Sequence, residues 1–105
     1  MGLEYNKVEV DQMNFASLYN YYEHLVFDYI SRTLVDKYPQ QDEEFFLDVA
    51  CYSLTRLPSR YIRHQIDMVY YLAPGELEEM EKGVAKTVDS AAVFIDERTQ
   101  KKSVS

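Results

Sequence analysis

Proline punctuation limits most strongly how this chain can fold. A proline ring disfavours helix at the residue before it and lacks an amide hydrogen, so helices end ahead of a proline or open on one. The chain has three, Pro39, Pro58 and Pro74. Around them, apolar residues recur at the three-and-four spacing that lines one face of an α-helix. From Asn14, a good N-cap type, the residues Phe15, Leu18, Tyr22, Leu25, Val26, Tyr29, Ile30 and Leu34 predict a first helix reaching Tyr38. Asp42, Glu43 and Glu44 then place negative charge at the positive end of a second helix. Its stripe of Phe46, Val49, Ala50, Leu54 and Leu57 stops at Pro58, which leaves Arg56 in the last turn. Pro74 suits the first position of a third helix with a stripe of Leu77, Met80, Val84, Val88, Ala91, Ala92 and Ile95. Gly83 inside it weakens the helix and is expected to mark close packing against a neighbour.

The remaining segments lack this regularity. Tyr61 to Leu72 mixes strand-favouring types without a clean period and is assigned at most one short strand, near Tyr61 to His64. Residues 1–13 read as an N-terminal arm, residues 14–97 as the helical domain, and residues 98–105 as a flexible polar tail. At 105 residues one core is the limit. The expected fold is therefore mainly α, a compact bundle of three to four helices with at most one short strand. Ten Tyr and five Phe supply rings suited to half-buried contacts, so a homodimer is expected.

A net charge of −7 repels phosphate backbones and anionic lipid, which argues against nonspecific nucleic-acid or membrane partners. No apolar run approaches a membrane span, and Met1-Gly2-Leu3-Glu4 lacks the basic region and apolar core of a signal peptide, so a cytoplasmic location is expected. Cys51 is the only cysteine, which rules out an internal disulfide and a cysteine zinc knuckle; it reads as a buried small hydrophobe. His24 and Asp28, one turn apart, read as a surface pair rather than metal ligands, and Glu76 to Glu81 as a solvated helix start. With three glycines there is no phosphate-cradling loop. No set of nucleophile, base and orienting group is present, so no catalytic residue, metal or cofactor is assigned and an enzyme is not expected.

One stretch stands out: Arg56-Leu57-Pro58-Ser59-Arg60-Tyr61-Ile62-Arg63-His64 gathers three arginines and a histidine in an acidic chain. A guanidinium can grip phosphate or a guanine edge with two parallel hydrogen bonds, and it stacks on rings. In an extended segment, Tyr61 and Arg63 would share one face and Arg60 and His64 the other. Composition alone favours a plainer account, in which these arginines pair with the surplus Asp and Glu of the chain or its dimer mate.

The same stretch carries a resemblance. Asn20-Tyr21-Tyr22-Glu23-His24-Leu25-Val26, Asp48-Val49-Ala50, Leu54 and above all Leu57-Pro58-Ser59-Arg60-Tyr61-Ile62 resemble the ComFB family, named for a late competence protein of bacteria. Arg63-His64-Gln65-Ile66-Asp67-Met68 and Tyr71-Leu72 resemble its cysteine-poor, Gram-negative branch, and the likeness covers residues 14–96. Where members often read Asn-x-Leu-Pro-Pro-Arg-Tyr, this chain has Thr55 for the asparagine and Ser59 for the second proline. Members of the competence type bind zinc through cysteines between the first two helices; Lys37 to Phe45 contains none, so zinc is not carried over. The resemblance implies a dimeric helical domain and tips the balance toward a regulatory module that binds a cyclic dinucleotide, cyclic di-GMP foremost. The ligand-binding residues would be Arg56, Arg60, Tyr61, Arg63 and His64. The alternative is a protein-interaction adaptor in which Tyr-rich faces and the acidic third helix dock a partner protein and the arginines are structural.

Overall fold

The computed structural model describes residues 10–63 and 72–104. Two 3-10 turns, Val10–Gln12 and Phe15–Ser17, lead into strand β1 (Tyr19–Asn20) and helix α1 (Tyr21–Tyr29). A π-helical segment, Ile30–Leu34, joins α1 to the single turn α2 (Val35–Lys37), which ends before Pro39 as the proline requires. Helix α3 (Glu43–Arg56) follows, then strand β2 (Tyr61–Ile62) and the long helix α4 (Glu76–Val104). At 29 residues, α4 extends about 43 Å at the usual rise.

The three principal helices expected from periodicity are present, and their buried faces meet in one core. Leu25, Val26, Ile30 and Leu34 come from the first helical stretch, Phe45, Val49 and Ala50 from α3, and Met80, Val84, Val88, Ala91 and Ala92 from α4. In the π segment hydrogen bonds close over five residues, which keeps Ile30 and Leu34 on the core side of one turn. Polar contacts pin the seams. The Tyr29 hydroxyl donates to Asp89 at 2.8 Å, and the Lys37 ammonium donates to both Tyr29 and Asp89 at 3.2 Å. Burial first, and then the bond to Asp89, push the Tyr29 phenol above its ordinary value.

The first helix begins later than its apolar pattern predicts. Asn14 opens only a 3-10 turn and makes no side-chain cap, while Phe15 and Leu18 are 61% and 44% exposed. Asn20 is the true cap: its extended backbone leaves its side chain free to accept the Tyr22 amide at 3.2 Å. Directly before it, Tyr19 and Asn20 pair antiparallel with Ile62 and Tyr61, so the strand expected near Tyr61 has a partner where periodicity alone predicts helix.

Other expectations also change. Cys51 is exposed rather than buried, because the face of α3 turned inward carries Val49, Ala50 and Ser53. Phe45 and Ser53 are fully inside, whereas Phe46, Leu54 and Leu57 are only partly buried. Leu77 is exposed, and a Cβ added at Gly83 would meet nothing within 4 Å, so no close packing requires that glycine. Pro74 precedes α4 instead of starting it. It sits in an Ala73–Glu76 turn closed by the Glu76 amide on the Ala73 carbonyl at 3.0 Å, with Gly75 at φ +82, the positive value a type II turn needs at that position. Helix α4 also runs past the Arg98 boundary at which composition predicts a frayed tail.

Candidate functional site

The arginine stretch begins where α3 ends. Leu57, in extended conformation, breaks the helix ahead of Pro58, and the chain runs on to β2. The backbone of Arg60 is clamped from both sides by β1 and the start of α1. Its amide donates to the Asn20 side chain at 2.8 Å, and its carbonyl accepts the Tyr21 amide at 2.7 Å. The same Asn20 oxygen therefore caps a helix and fixes a strand.

The Arg60 side chain is held as well. Its guanidinium meets the Glu76 carboxylate at 2.7 Å, both groups being about one-third exposed. The other Glu76 oxygen accepts the Ala73 amide at 2.9 Å, so one carboxylate ties the connector to the turn that opens α4. The Ala73 amide, and after it Arg60, hold the Glu76 carboxyl below its ordinary range. Glu76 is thus a structural partner rather than one member of a solvated acidic run. Arg60, expected to grip a ligand, spends guanidinium capacity on this contact, and its clamped backbone positions β2.

Alternation along the strand does the rest. Ile62 points into the core at 9% exposure, which turns Tyr61 outward at 67%, with Arg63 also exposed. Both Tyr61 and Arg63 are exposed, although β2 ends at Ile62 and Arg63 lies in a bend just beyond it. Arg56 goes elsewhere: it lies over the Tyr52 ring, 5.5 Å from the centroid, and donates to the Tyr52 hydroxyl at 3.2 Å. His64 lies outside the described residues. The expected group of five is therefore divided between a fixed Arg60, an outward Tyr61 and Arg63, and an Arg56 that belongs to the α3 surface.

Two contributors escape a reading of the stretch alone. Asn20 carries a local signal, since an asparagine directly before a periodic apolar run is a helix start. Glu76 carries none, because nothing in a run of glutamates tells which one faces an arginine. The described residues contain no group of three or more His, Cys, Asp or Glu placed to hold a metal ion. The pair His24 and Asp28 is divided as well: Asp28 bonds Arg32 at 2.9 Å, and His24 packs on the Tyr21 ring at 5.4 Å. Among the described residues, no helix is long and apolar enough to cross a membrane.

These features define a class: a helical domain whose inter-helix connector, clipped by a two-residue antiparallel sheet, presents an aromatic and a cation to solvent. The family model described as late competence development protein ComFB matches residues 19–99, and the chain belongs to the ComFB family. The match opens at β1 and spans every element of the core. Neither the curated proteins nor the solved structures contain a significant match to the chain.

Proposed function

We propose that this chain is a non-enzymatic, cytoplasmic regulatory module that binds a cyclic dinucleotide, cyclic di-GMP foremost, on the outward face of β2. The observation that carries the reading is the exposure of Tyr61 on a strand whose approach is clamped at Arg60, with Arg63 exposed just beyond the strand's end. A tyrosine ring stacks on a base and an arginine takes a phosphate or a guanine edge, and pre-positioning both lowers the entropy lost on binding. Asn20 and Glu76 act as positioning residues, with Arg60 between them. Because a cyclic dinucleotide carries two bases and two phosphates in two-fold symmetry, a homodimer offering Tyr61 and Arg63 twice would match it.

Isothermal titration calorimetry with cyclic di-GMP and cyclic di-AMP, alongside light scattering for mass, tests this directly. Saturable heat with cyclic di-GMP, abolished in Tyr61→Ala and Arg63→Ala while circular dichroism stays unchanged, is the expected result. Absence of heat with both nucleotides, or binding indifferent to those two substitutions, overturns the proposal.

A further inference from the structure

A second surface lies across α3 and α4. Each helix carries an aromatic residue followed one turn later by an arginine: Tyr52 and Arg56 on α3, Phe94 and Arg98 on α4. The two rings meet with centroids 4.9 Å apart, tilted by 36°. Arg56 covers the Tyr52 ring at 5.5 Å and Arg98 covers the Phe94 ring at 5.4 Å. The four side chains form one ridge, ordered cation, ring, ring, cation, across the helix interface. Phe94 is 40% exposed at its centre, and both arginines are exposed.

Aromatic and arginine residues one turn apart commonly stack within a helix, and that alone would need no partner. The charge pattern goes further. In a chain of net charge −7, neither Arg56 nor Arg98 has a carboxylate within ion-pair distance among the described residues. Lying flat on a ring uses the face of a guanidinium and leaves N–H groups at its edge for bidentate pairing with a carboxylate. Among the described residues, one hydrogen bond, from Arg56 to the Tyr52 hydroxyl, draws on those edges. Stacking also holds each cation in one place, which reduces the entropy lost on docking. Arginine, tyrosine and phenylalanine gathered around a half-exposed centre are the residues that dominate protein interfaces.

We propose that this ridge is a docking surface for an acidic segment of a partner protein. Its carboxylates would pair with Arg56 and Arg98, and an apolar side chain between them would cover Phe94. The net negative charge of the domain argues against nucleic acid as the occupant, since a polyanion would meet repulsion outside the two cations. The inference stands apart from the cyclic-dinucleotide reading, because Arg98 and Phe94 lie outside the connector.

A phage-displayed random dodecapeptide library panned against the intact protein tests it. Enriched peptides are expected to place Asp or Glu on both sides of a leucine or aromatic residue. The synthetic consensus peptide should lose about tenfold in affinity, read by fluorescence anisotropy, in Arg98→Glu and again in Arg56→Glu. It should bind Tyr61→Ala unchanged and weaken as salt rises. Arg98 is exposed near the end of α4, and an unchanged circular dichroism spectrum would confirm that the Arg98→Glu variant is folded. No enrichment, a consensus without acids, or affinity indifferent to Arg98→Glu overturns the proposal. So does a dimer of the wild-type protein that Arg98→Glu dissociates, because a second copy would then be the occupant.

Discussion

The helical core and the connector between α3 and β2 are held by different forces. In the core, Val26, Leu34, Val49, Val84 and Val88 are shielded almost completely from solvent, and non-directional apolar burial does the holding. The connector packs Leu57 against that core, leads into the buried Ile62, and is pinned by directional contacts: the Arg60 amide on Asn20, the Tyr21 amide on the Arg60 carbonyl, and Arg60 on Glu76. Burial sets which helices pack, while hydrogen bonds fix the backbone on which Ile62 turns inward and Tyr61 outward. Stability and the proposed recognition can therefore be perturbed separately.

The largest effect is expected in the core. Leu34→Ala should lower unfolding free energy by about 2–5 kcal/mol in urea titration, because it deletes a fully buried side chain. Cyclic di-GMP affinity, measured on the folded fraction, should not change. Asn20→Ala comes next, at about 1–2 kcal/mol, because one oxygen both caps α1 and takes the Arg60 amide. Here the contrast sharpens: ligand affinity should fall along with stability, and equal affinity in wild type and variant would separate the connector from recognition.

Tyr29→Phe should cost about 0.5–1.5 kcal/mol by removing the bond to Asp89. It also probes the alkaline limb. The phenols of Tyr29 and Tyr38 and the Lys37 ammonium all hold their protons more tightly folded than unfolded. Their stabilisation is complete below the ordinary phenol and ammonium values and is lost as pH rises through the raised ones. The variant should therefore lose less stability between neutral and alkaline pH.

Glu76 has the opposite sign. Its carboxyl is depressed, so its contribution is present above the ordinary carboxylate range and disappears as pH falls through the lowered value. Urea midpoints of wild type and Glu76→Gln should accordingly converge in acid, while Glu76→Gln weakens cyclic di-GMP at neutral pH more than it weakens the fold. The smallest effect belongs to Ser53, whose hydroxyl is buried in α3 without a hydrogen-bond partner among the described residues. Ser53→Ala should be neutral or stabilising by less than about 1 kcal/mol, read from the same urea midpoint.

The two regions were unequally legible. Helix identities and most core positions follow from spacing, as with Met80, Val84 and Val88 on α4. Within α3 the same reasoning misplaced Cys51 and overlooked Phe45, since a short apolar run admits more than one inward face. Periodicity also carried the first helix back through Phe15 and Leu18, although the β1–β2 pairing starts it at Tyr21. In the connector, the outward Tyr61 beside an inward Ile62 was readable from strand alternation, whereas the divergence of Arg56 was not. Its ring partner on α3 and the Phe94 ring behind it become neighbours only when α3 packs on α4.

What the amino-acid sequence determined by itself is local: three amphipathic helices, their proline-bounded limits, and an arginine-bearing link between two of them. Spacing and backbone chemistry act over a few residues, so they can be read without knowing what lies across the fold. The tertiary structure alone decided that Asn20 holds Arg60 from 40 positions away and that Glu76, among its neighbouring glutamates, takes the guanidinium. Such pairings depend on how helices cross once their apolar faces are buried, and a linear pattern carries no record of that geometry.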